Sequence, residues 1–266
     1  MQRLLLIGCG KMGGAILKGI LEQHADFHID VIDHHANASL FPENKNLHFY
    51  NSTNDISTTP DLTILAVKPQ HMNELLESLP KRIKESKTFL SIAAGKTLHY
   101  FEQYLGAHTP IIRTMPNTPA AIGKGIIACI ANNFVSQNII NEASILLQST
   151  GDILWIEDES LMDALSAVSG SGPAYLFYFT EMLEKAAIQN GLPPEIAKIL
   201  ARKTMIGAAH LMEQDDIPLE TLRRNVTSPN GMTEAGLKVL QHEDALNILL
   251  EETLKAASKR SKELGA

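Results

Sequence analysis

The sequence is poor in the residues that mark several classes of protein. It has only two cysteines, Cys9 and Cys129, in 266 residues, which argues against a disulfide-stabilised secreted protein and favours a reducing, cytoplasmic location. Its 23 lysines and arginines are outnumbered by 30 aspartates and glutamates, and a net charge of −7 speaks against nucleic acid as a partner. The ten histidines show no spacing typical of metal ligands, so we predict no metal site.

Long apolar runs are also missing. No stretch approaches the ~20 apolar residues that cross a bilayer, and no signal peptide precedes the first apolar run. We therefore expect neither a membrane partner nor secretion. A chain of this length is sufficient for two modest domains.

The most informative stretch is QRLLLIGCGKMGG, residues 2–14. An apolar run leads into a glycine-rich turn, and apolar residues at helical spacing follow it. This order of strand, turn and helix is typical of dinucleotide-binding folds, in which the first glycine permits a sharp turn, the second leaves room for a pyrophosphate and the third lets helix and strand pack closely. Backbone N–H groups at the helix start then face the phosphates. The cofactor-binding residues predicted here are Gly8, Gly10, Lys11, Met12 and Gly13.

A glycine pattern alone is a weak signal, because glycine clusters usually mark ordinary turns. Here a second apolar run ends in Asp33, which lies 20 residues after Gly13, the spacing at which an acidic side chain hydrogen-bonds a ribose. The three signals together favour a site for NAD or NADP. Asp33 favours NADH by repelling a 2′-phosphate, whereas His34 and His35 would accept one if protonated, so the preference stays open.

Strands alternate with helices up to residue 159, which predicts an α/β domain with a doubly wound parallel sheet over residues 1–159. The run 62–67 is nearly all apolar, as expected of a strand buried on both faces, and it stops at Lys68 and Pro69. Ligands bind beyond the carboxyl ends of the strands in such sheets, so this break is expected to lie against the cofactor.

The strand pattern disappears after residue 159, and residues 160–266 are predicted to form an all-helical domain that binds substrate and dimerises. The segment 176–189 is apolar on nearly every side, and a helix without a polar face must be covered all round. This much apolar surface is too great for a lone subunit, so we expect a homodimer through the helical domain.

A polar interruption in the helical half is the predicted substrate site. Ser228, Pro229, Asn230 and Gly231 offer backbone N–H groups and a hydroxyl just before a helix, an arrangement suited to a small carboxylate. Thr233 either caps that helix or presents its hydroxyl to a reacting atom. Spacing alone favours the cap.

Six segments resemble pyrroline-5-carboxylate reductases, and the resemblance covers essentially the whole chain. The segment TSPNGMTEAGL, residues 227–237, is highly specific. The resemblance implies hydride transfer from NAD(P)H to 1-pyrroline-5-carboxylate, giving L-proline, the last step of proline biosynthesis. It also implies a Rossmann-type domain followed by a helical domain like that of 6-phosphogluconate dehydrogenase. The other segments are the glycine turn, AVKP (66–69), SIAAG (91–95), RTMPNTP (113–119) and SGSGPAY (169–175).

The same resemblance implies roles for single residues. The segment Ser228 to Gly231 would hold the substrate carboxylate, and Thr233 would hydrogen-bond the ring nitrogen. Two interlocked subunits would share each active site, and rings of dimers also occur. Asn54, Ala66, Lys68 and Pro69 would line the cofactor, and Met115, Pro116 and Asn117 would flank the nicotinamide.

One position departs from the family pattern. Asn230 stands where glycine is common. If the backbone there has a positive φ, asparagine tolerates it better than most residues, so we expect a modest effect on the carboxylate loop.

The sequence leaves two alternative functions open. A 3-hydroxyacid dehydrogenase of the 6-phosphogluconate dehydrogenase-like group would need a catalytic lysine in the first long helix after the cofactor domain, but residues 161–183 contain none. The second alternative is a catalytically silent NAD(P)-binding module. An assay of proline formation distinguishes such a module from the enzyme.

Overall fold

The computed structural model describes residues 3–23, 27–214 and 217–265. These residues form two compact units. The first unit contains the described residues up to 171 together with 257–265, and the second contains those within 172–256. Gln2, the first residue of the predicted glycine-turn stretch, lies outside the described residues. In the described part of the chain, no helix combines the length and the apolar character that a membrane span requires.

An eight-stranded sheet forms the centre of the first unit. The strands are β1 (Arg3–Ile7), β2 (His28–Ile32), β3 (Leu47–Tyr50), β4 (Leu62–Leu65), β5 (Thr88–Ser91), β6 (Ile111–Met115), β7 (Gly125–Ala131) and β8 (Gly151–Trp155). Their order is β3-β2-β1-β4-β5-β6-β7-β8. All neighbours run parallel except β6 and β7, which are antiparallel. With β1 and β4 adjacent, the chain winds outward in both directions, and the predicted fold class is confirmed.

Helices cover both faces of this sheet. They are α1 (Lys11–Gln23), α2 (Met72–Ser78), α3 (Lys81–Lys84), α4 (Leu98–Leu105), α5 (Gln137–Leu147) and α6 (Met162–Leu165), followed by a π-helical turn at Ser166–Gly170. Buried residues of α1 and α5 pack on one face, and those of α2, α3 and α4 pack on the other.

The burial of the central strand β1 explains why a binding site can form at its end. Leu4 and Leu6 are buried in the cluster on the α1 side, and Leu5 and Ile7 are buried in the opposite cluster. A strand buried on both faces cannot shift without exposing one set of apolar side chains. The glycine turn that follows Ile7 therefore starts from a fixed point.

The second unit consists of helices. They are α7 (Gly172–Gln189), α8 (Pro194–Gln214), α9 (Leu219–Asn225), α10 (Met232–Leu240) and α11 (Ala245–Gly265), the last residues of α11 being grouped with the first unit. The division into units falls after residue 171, so α6 and the π-helical turn are grouped with the sheet. The functional boundary at residues 159 and 160 stays a prediction.

The long helices of this unit leave their apolar side chains uncovered. No residue of α7 is buried in the single chain, and Phe177 and Tyr178 are 67% and 63% exposed. In α8 only Ala197 and Ala201 are buried. A groove of about 570 Å³ is lined by residues of α7 and α8, among them Phe177 and Met205. Exposed apolar surface of this extent marks an interaction face.

Candidate active site

The first part of the site is the glycine turn at the end of β1. Gly8 has a φ of +96°, and a Cβ added to it would lie 2.7 Å from the carbonyl carbon of Ala66. The chain is held there by hydrogen bonds from the Gly8 N–H to the Ile32 carbonyl and from the Ala66 N–H to the Ile7 carbonyl, each 2.8 Å. Only glycine fits both the conformation and the space.

The other two glycines of the turn differ in their surroundings. A Cβ added to Gly13 would lie 2.3 Å from the carbonyl oxygen of Gly8, so α1 and the turn are in direct backbone contact. A Cβ added to Gly10 would meet no atom within 4 Å. Gly10 therefore faces open space, and this is the position at which a dinucleotide fold leaves room for the pyrophosphate.

Helix α1 begins beside that open space. The Gly14 N–H donates to the Gly10 carbonyl at 2.7 Å, which is the first hydrogen bond of the helix. The N–H groups of Lys11, Met12 and Gly13 precede it and have no acceptor within the helix. Three N–H donors at the positive end of a helix dipole suit a bound phosphate.

Asp33 directly follows β2, and its carboxylate is hydrogen-bonded to the glycine turn. Its Oδ2 accepts a hydrogen bond from the Cys9 N–H at 2.5 Å, and its Oδ1 accepts one from the His35 N–H at 2.7 Å. The half-buried carboxylate is thus fixed in direction. Each oxygen retains a lone pair that can accept from a ribose hydroxyl.

A cavity of about 800 Å³ lies at the carboxyl ends of β1, β2 and β4. It brings together six of the predicted cofactor residues, namely Gly8, Gly10, Asp33, His34, Ala66 and Lys68. Its volume lies in the ordinary range for cofactor pockets, about 300–1,000 Å³. The fixed carboxylate, the glycine turn and the open space at Gly10 fit a dinucleotide.

Several residues that line the cavity were not predicted from the sequence as cofactor-binding residues. Asn51, Ser52 and Thr53 follow β3 as a polar run, and only their neighbour Asn54 was predicted. Four more missed residues come from α2 and the turn before it, at positions 71, 74, 75 and 78. Their i, i+3, i+4, i+7 spacing places them on one helix face, directly after the predicted break at Lys68 and Pro69. The break and the spacing together are the signal that could have identified them.

Two predicted cofactor residues, Asn54 and Pro69, are not among the described residues that line the cavity. Arg82 fixes the backbone around Asn54, because its guanidinium donates to the carbonyl oxygens of Asn54 at 2.6 Å and of Ile56. Pro69 opens a 3₁₀ turn, Pro69–His71, directly after Lys68. The cofactor roles of Asn54 and Pro69 stay predictions.

The segment after β6 is organised by Asn117. This side chain is 8% exposed, its Nδ2 donates to the Ser169 carbonyl at 3.1 Å and its Oδ1 accepts from the Ile126 N–H at 3.0 Å. Asn117 thus connects β7 to the π-helical turn. The predicted places of Met115, Pro116 and Asn117 beside a nicotinamide stay predictions.

The pKa of the Cys9 thiol is raised to about 11, mainly by burial and secondly by the charge of Asp33. Cys9 is therefore almost entirely protonated near neutral pH and is a poor nucleophile. Within the described residues there is no group of three or more histidine, cysteine, aspartate or glutamate side chains suited to a metal ion.

The second unit carries the predicted substrate loop before α10. Thr233 does not cap this helix, so the predicted cap is wrong. The Gly231 N–H donates to the Ser228 carbonyl at 3.0 Å and closes a turn, so the helix starts at Met232 with Gly231 as its N-cap. Thr233 is the second helical residue, it is exposed, and its hydroxyl has no hydrogen-bond partner within the described residues. The hydroxyl is available to a ligand.

Asn230 has a φ of +57°. The position at which this chain departs from the family pattern therefore does require the left-handed conformation. Asparagine is one of the few side chains that adopt it at modest cost.

Comparison with known proteins gives the family. Residues 159–264 match the family model of pyrroline-5-carboxylate reductase dimerisation, and residues 3–95 match that of NADP oxidoreductase, coenzyme F420-dependent. Pyrroline-5-carboxylate reductase from Pseudomonas aeruginosa is 35% identical, with 98% of this chain and 96% of that protein covered.

Solved structures agree. A pyrroline-5-carboxylate reductase from Coxiella burnetii superposes with a TM-score of 0.90 at 33% identity, covering 99% of this chain and 98% of that one. The pyrroline carboxylate reductase of Plasmodium falciparum, solved with NADP bound, gives a TM-score of 0.83 at 28% identity over 100% and 98% of the two chains. The resemblance seen in the sequence is confirmed, and the chain belongs to the pyrroline-5-carboxylate reductase family.

Proposed function

We propose a division of roles among the described residues for the reaction of this family. That reaction is the reduction of 1-pyrroline-5-carboxylate to L-proline with NAD(P)H, the last step of proline biosynthesis. The strongest support from the structure is the 800 Å³ cavity at the strand ends, where an open glycine position adjoins a fixed carboxylate. No observation favours the hydroxyacid dehydrogenase or the silent binding module.

NAD(P)H supplies the hydride when it is bound. In this proposal the N–H groups of Lys11, Met12 and Gly13 hold its pyrophosphate, and Asp33 holds its adenosine ribose, with His34 alongside. The remaining cofactor residues in the proposal are Gly8, Gly10, Asn54, Ala66, Lys68, Pro69, Met115, Pro116 and Asn117. The relative with bound NADP supports this class of cofactor.

The substrate carboxylate is held by the turn Ser228–Gly231. A carboxylate at this place meets the N–H groups of the first turn of α10 and the Ser228 hydroxyl, which are the donors that an anion needs. Thr233 hydrogen-bonds the ring nitrogen. Its exposed hydroxyl, free of the capping role, supports this assignment.

The chemistry requires positioning more than strong acid catalysis. A cyclic imine is basic enough to be partly protonated near neutral pH, and the iminium is already an electrophile. A carboxylate clamp and one hydroxyl then suffice to hold the C=N bond in place.

The family match of residues 159–264 identifies a dimerisation region. The proposal adds that residues 160–266 form the substrate-binding and dimerisation domain, residues 1–159 the cofactor domain, and that both subunits contribute to each active site. The uncovered apolar side chains of α7 support a homodimer. A ring of such dimers is the larger assembly in this proposal. The proposal also places the protein in the cytoplasm, which its two free cysteines support.

The decisive experiment is a direct assay. Purified protein with 1-pyrroline-5-carboxylate and NADH or NADPH is expected to oxidise the cofactor and form L-proline in equal amounts, measured by absorbance and by amino-acid analysis. A 3-hydroxyacid with NAD⁺ or NADP⁺ serves as the comparison. Failure to form proline with either reduced cofactor would refute the proposal.

A further inference from the structure

We infer that Glu234 is a positioning residue that keeps the turn Ser228–Gly231 in the shape that receives the substrate carboxylate. This inference rests on the function proposed above. Glu234 does not touch the substrate in this scheme. It acts through the backbone of Asn230.

The turn contains one non-glycine residue, Asn230, in the left-handed conformation. Pro229 occupies its second position, where proline is preferred, and Asn230 occupies the third with a φ of +57°. This pairing is that of a type II turn, in which glycine is the usual third residue. Asparagine adopts this conformation less readily than glycine, so the turn benefits from a contact that holds it.

Glu234 supplies that contact. It is the third residue of α10, and its Oε2 accepts a hydrogen bond from the Asn230 N–H at 3.0 Å. The Lys238 Nζ lies 3.3 Å from the same oxygen and offsets part of its charge. The helix therefore holds the one strained residue of the turn that precedes it.

The same contact determines which donors are left for a ligand. The N–H of Asn230 is used by Glu234, and the N–H of Gly231 is used by the Ser228 carbonyl. The donors that remain are the N–H groups at the start of α10 and the hydroxyls of Ser228 and Thr233. A Cβ added to Gly231 would lie 2.4 Å from the Ser228 Oγ, so this hydroxyl lies directly beside the helix start.

The charge of Glu234 also argues for an indirect role. A carboxylate in contact with an anionic substrate would repel it. A carboxylate that faces the Asn230 N–H and Lys238 instead shapes the turn. What matters is then its ability to accept a hydrogen bond, and its negative charge is dispensable.

The test separates these two properties. Glu234→Ala removes the acceptor and is expected to raise the KM for 1-pyrroline-5-carboxylate about fivefold, the size of one hydrogen bond, with the KM for NADH or NADPH unchanged and kcat within about twofold. Glu234→Gln retains an accepting oxygen without the charge and is expected to restore most of the affinity. Glu251→Ala is the matched control, because Glu251 forms an i, i+4 pair with Lys255 in α11 at a similar distance, 3.4 Å.

A second pair of variants tests the link to Asn230. In the Asn230→Gly background the left-handed conformation carries little cost, so adding Glu234→Ala is expected to change the KM less than twofold. Hydrogen exchange adds a readout that needs no turnover, since the peptide containing the Asn230 amide is expected to exchange faster in Glu234→Ala and not in Glu251→Ala.

The possible failures are distinguishable. An inactive wild-type protein would refute the proposed function and with it the positioning role. An active wild type whose Glu234→Ala variant keeps its KM and its exchange rate would refute the inference alone. So would a Glu234→Gln variant as impaired as the alanine variant, or an alanine effect that persists undiminished with Asn230→Gly.

Discussion

The Asp33 carboxylate and the Cys9 backbone are directly joined, with the Cys9 nitrogen 2.5 Å from the Asp33 Oδ2. The residue that directly follows β2 therefore holds the glycine turn that follows β1. A second hydrogen bond, from the His35 N–H at 2.7 Å, prevents the carboxylate from rotating away. A negative charge fixed in this way opposes a 2′-phosphate at the same place.

We therefore predict that Asp33→Asn shifts cofactor use toward NADPH. The amide oxygen still accepts from the Cys9 N–H, but the charge that repels a 2′-phosphate is removed. The ratio of kcat/KM for NADPH to that for NADH is expected to rise about tenfold, equivalent to about 1.4 kcal/mol. The measurement is steady-state kinetics with both cofactors.

Glu74→Gln is the control for this prediction, because Glu74 is another carboxylate that lines the same cavity. It is expected to leave the cofactor ratio within about twofold. An unchanged ratio in Asp33→Asn, or an equal shift in both variants, would show that the charge of Asp33 does not select the cofactor.

The pKa of Cys9 gives a prediction about pH. A thiol with a pKa of about 11 holds about one thiolate in a thousand molecules at pH 8, and only the thiolate is alkylated. Iodoacetamide is therefore expected to modify Cys9 about a hundredfold more slowly than an ordinary thiol, with the rate rising about tenfold per pH unit up to pH 11.

Peptide mass spectrometry measures this rate, with glutathione as the reference thiol. Asp33→Asn is expected to speed the labelling of Cys9, because the Asp33 charge is one of the two causes of the raised pKa. Labelling of Cys9 in the wild type as fast as glutathione at pH 8 would contradict the prediction.

The parts of the fold that follow from local signals could be predicted from the sequence. The glycine turn, the strand before it and the helix after it are all encoded within residues 3–23, because periodicity and glycine spacing act over short distances. The antiparallel direction of β7 was not anticipated. The link between β6 and β7 comprises only residues 116–124, which is too short for the crossover of a dozen or more residues that parallel strands require.

The substrate loop shows where sequence reasoning reaches its limit. Thr233 was expected to cap a helix because threonine is a common N-cap. The observed helix starts one residue before Thr233, since the turn closed by Ser228 and Gly231 sets its start. The hydrogen bond between Glu234 and Asn230 depends on the φ of a single residue, and no periodic pattern encodes it.

Thr233→Ala tests the role of the exposed hydroxyl. If Thr233 hydrogen-bonds the ring nitrogen, its loss is expected to lower kcat/KM for 1-pyrroline-5-carboxylate by about one to three powers of ten, while the cofactor dissociation constant stays nearly unchanged. Thr233→Ser, which keeps the hydroxyl, is the control. Alanine and serine variants with equal activity to the wild type would exclude the role.

Arg113 and Glu159 give a prediction about stability. The Arg113 side chain is 5% exposed, its Nη1 lies 2.7 Å from the Glu159 Oε1, and the same oxygen accepts from the Leu98 N–H at 2.8 Å. Glu159→Ala leaves a buried guanidinium without its partner and is expected to lower the free energy of unfolding by about 3 kcal/mol. Glu159→Gln, which keeps an acceptor, is expected to cost less.

Urea denaturation followed through Trp155 measures this loss, because the single tryptophan lies in β8 of the same unit. Glu157→Ala, an exposed neighbour, is expected to change the free energy of unfolding by less than about 0.5 kcal/mol. Equal stability of Glu159→Ala and wild type would mean that Arg113 finds another partner.

The uncovered face of α7 leads to the last prediction, which concerns assembly. Phe177 is 67% exposed in the single chain, and in a dimer built through the helical region such a side chain becomes buried. Phe177→Glu then places a charge in an apolar interface, and sedimentation velocity at micromolar concentration is expected to show monomers. Leu40→Glu is the matched control, since Leu40 is an apolar residue of the first unit that is slightly more exposed, at 75%, and its variant is expected to remain dimeric. Because both subunits contribute to each active site in the proposed function, the Phe177→Glu monomer is also expected to lose proline formation. A Phe177→Glu variant that sediments as the wild type would exclude this face from the dimer interface.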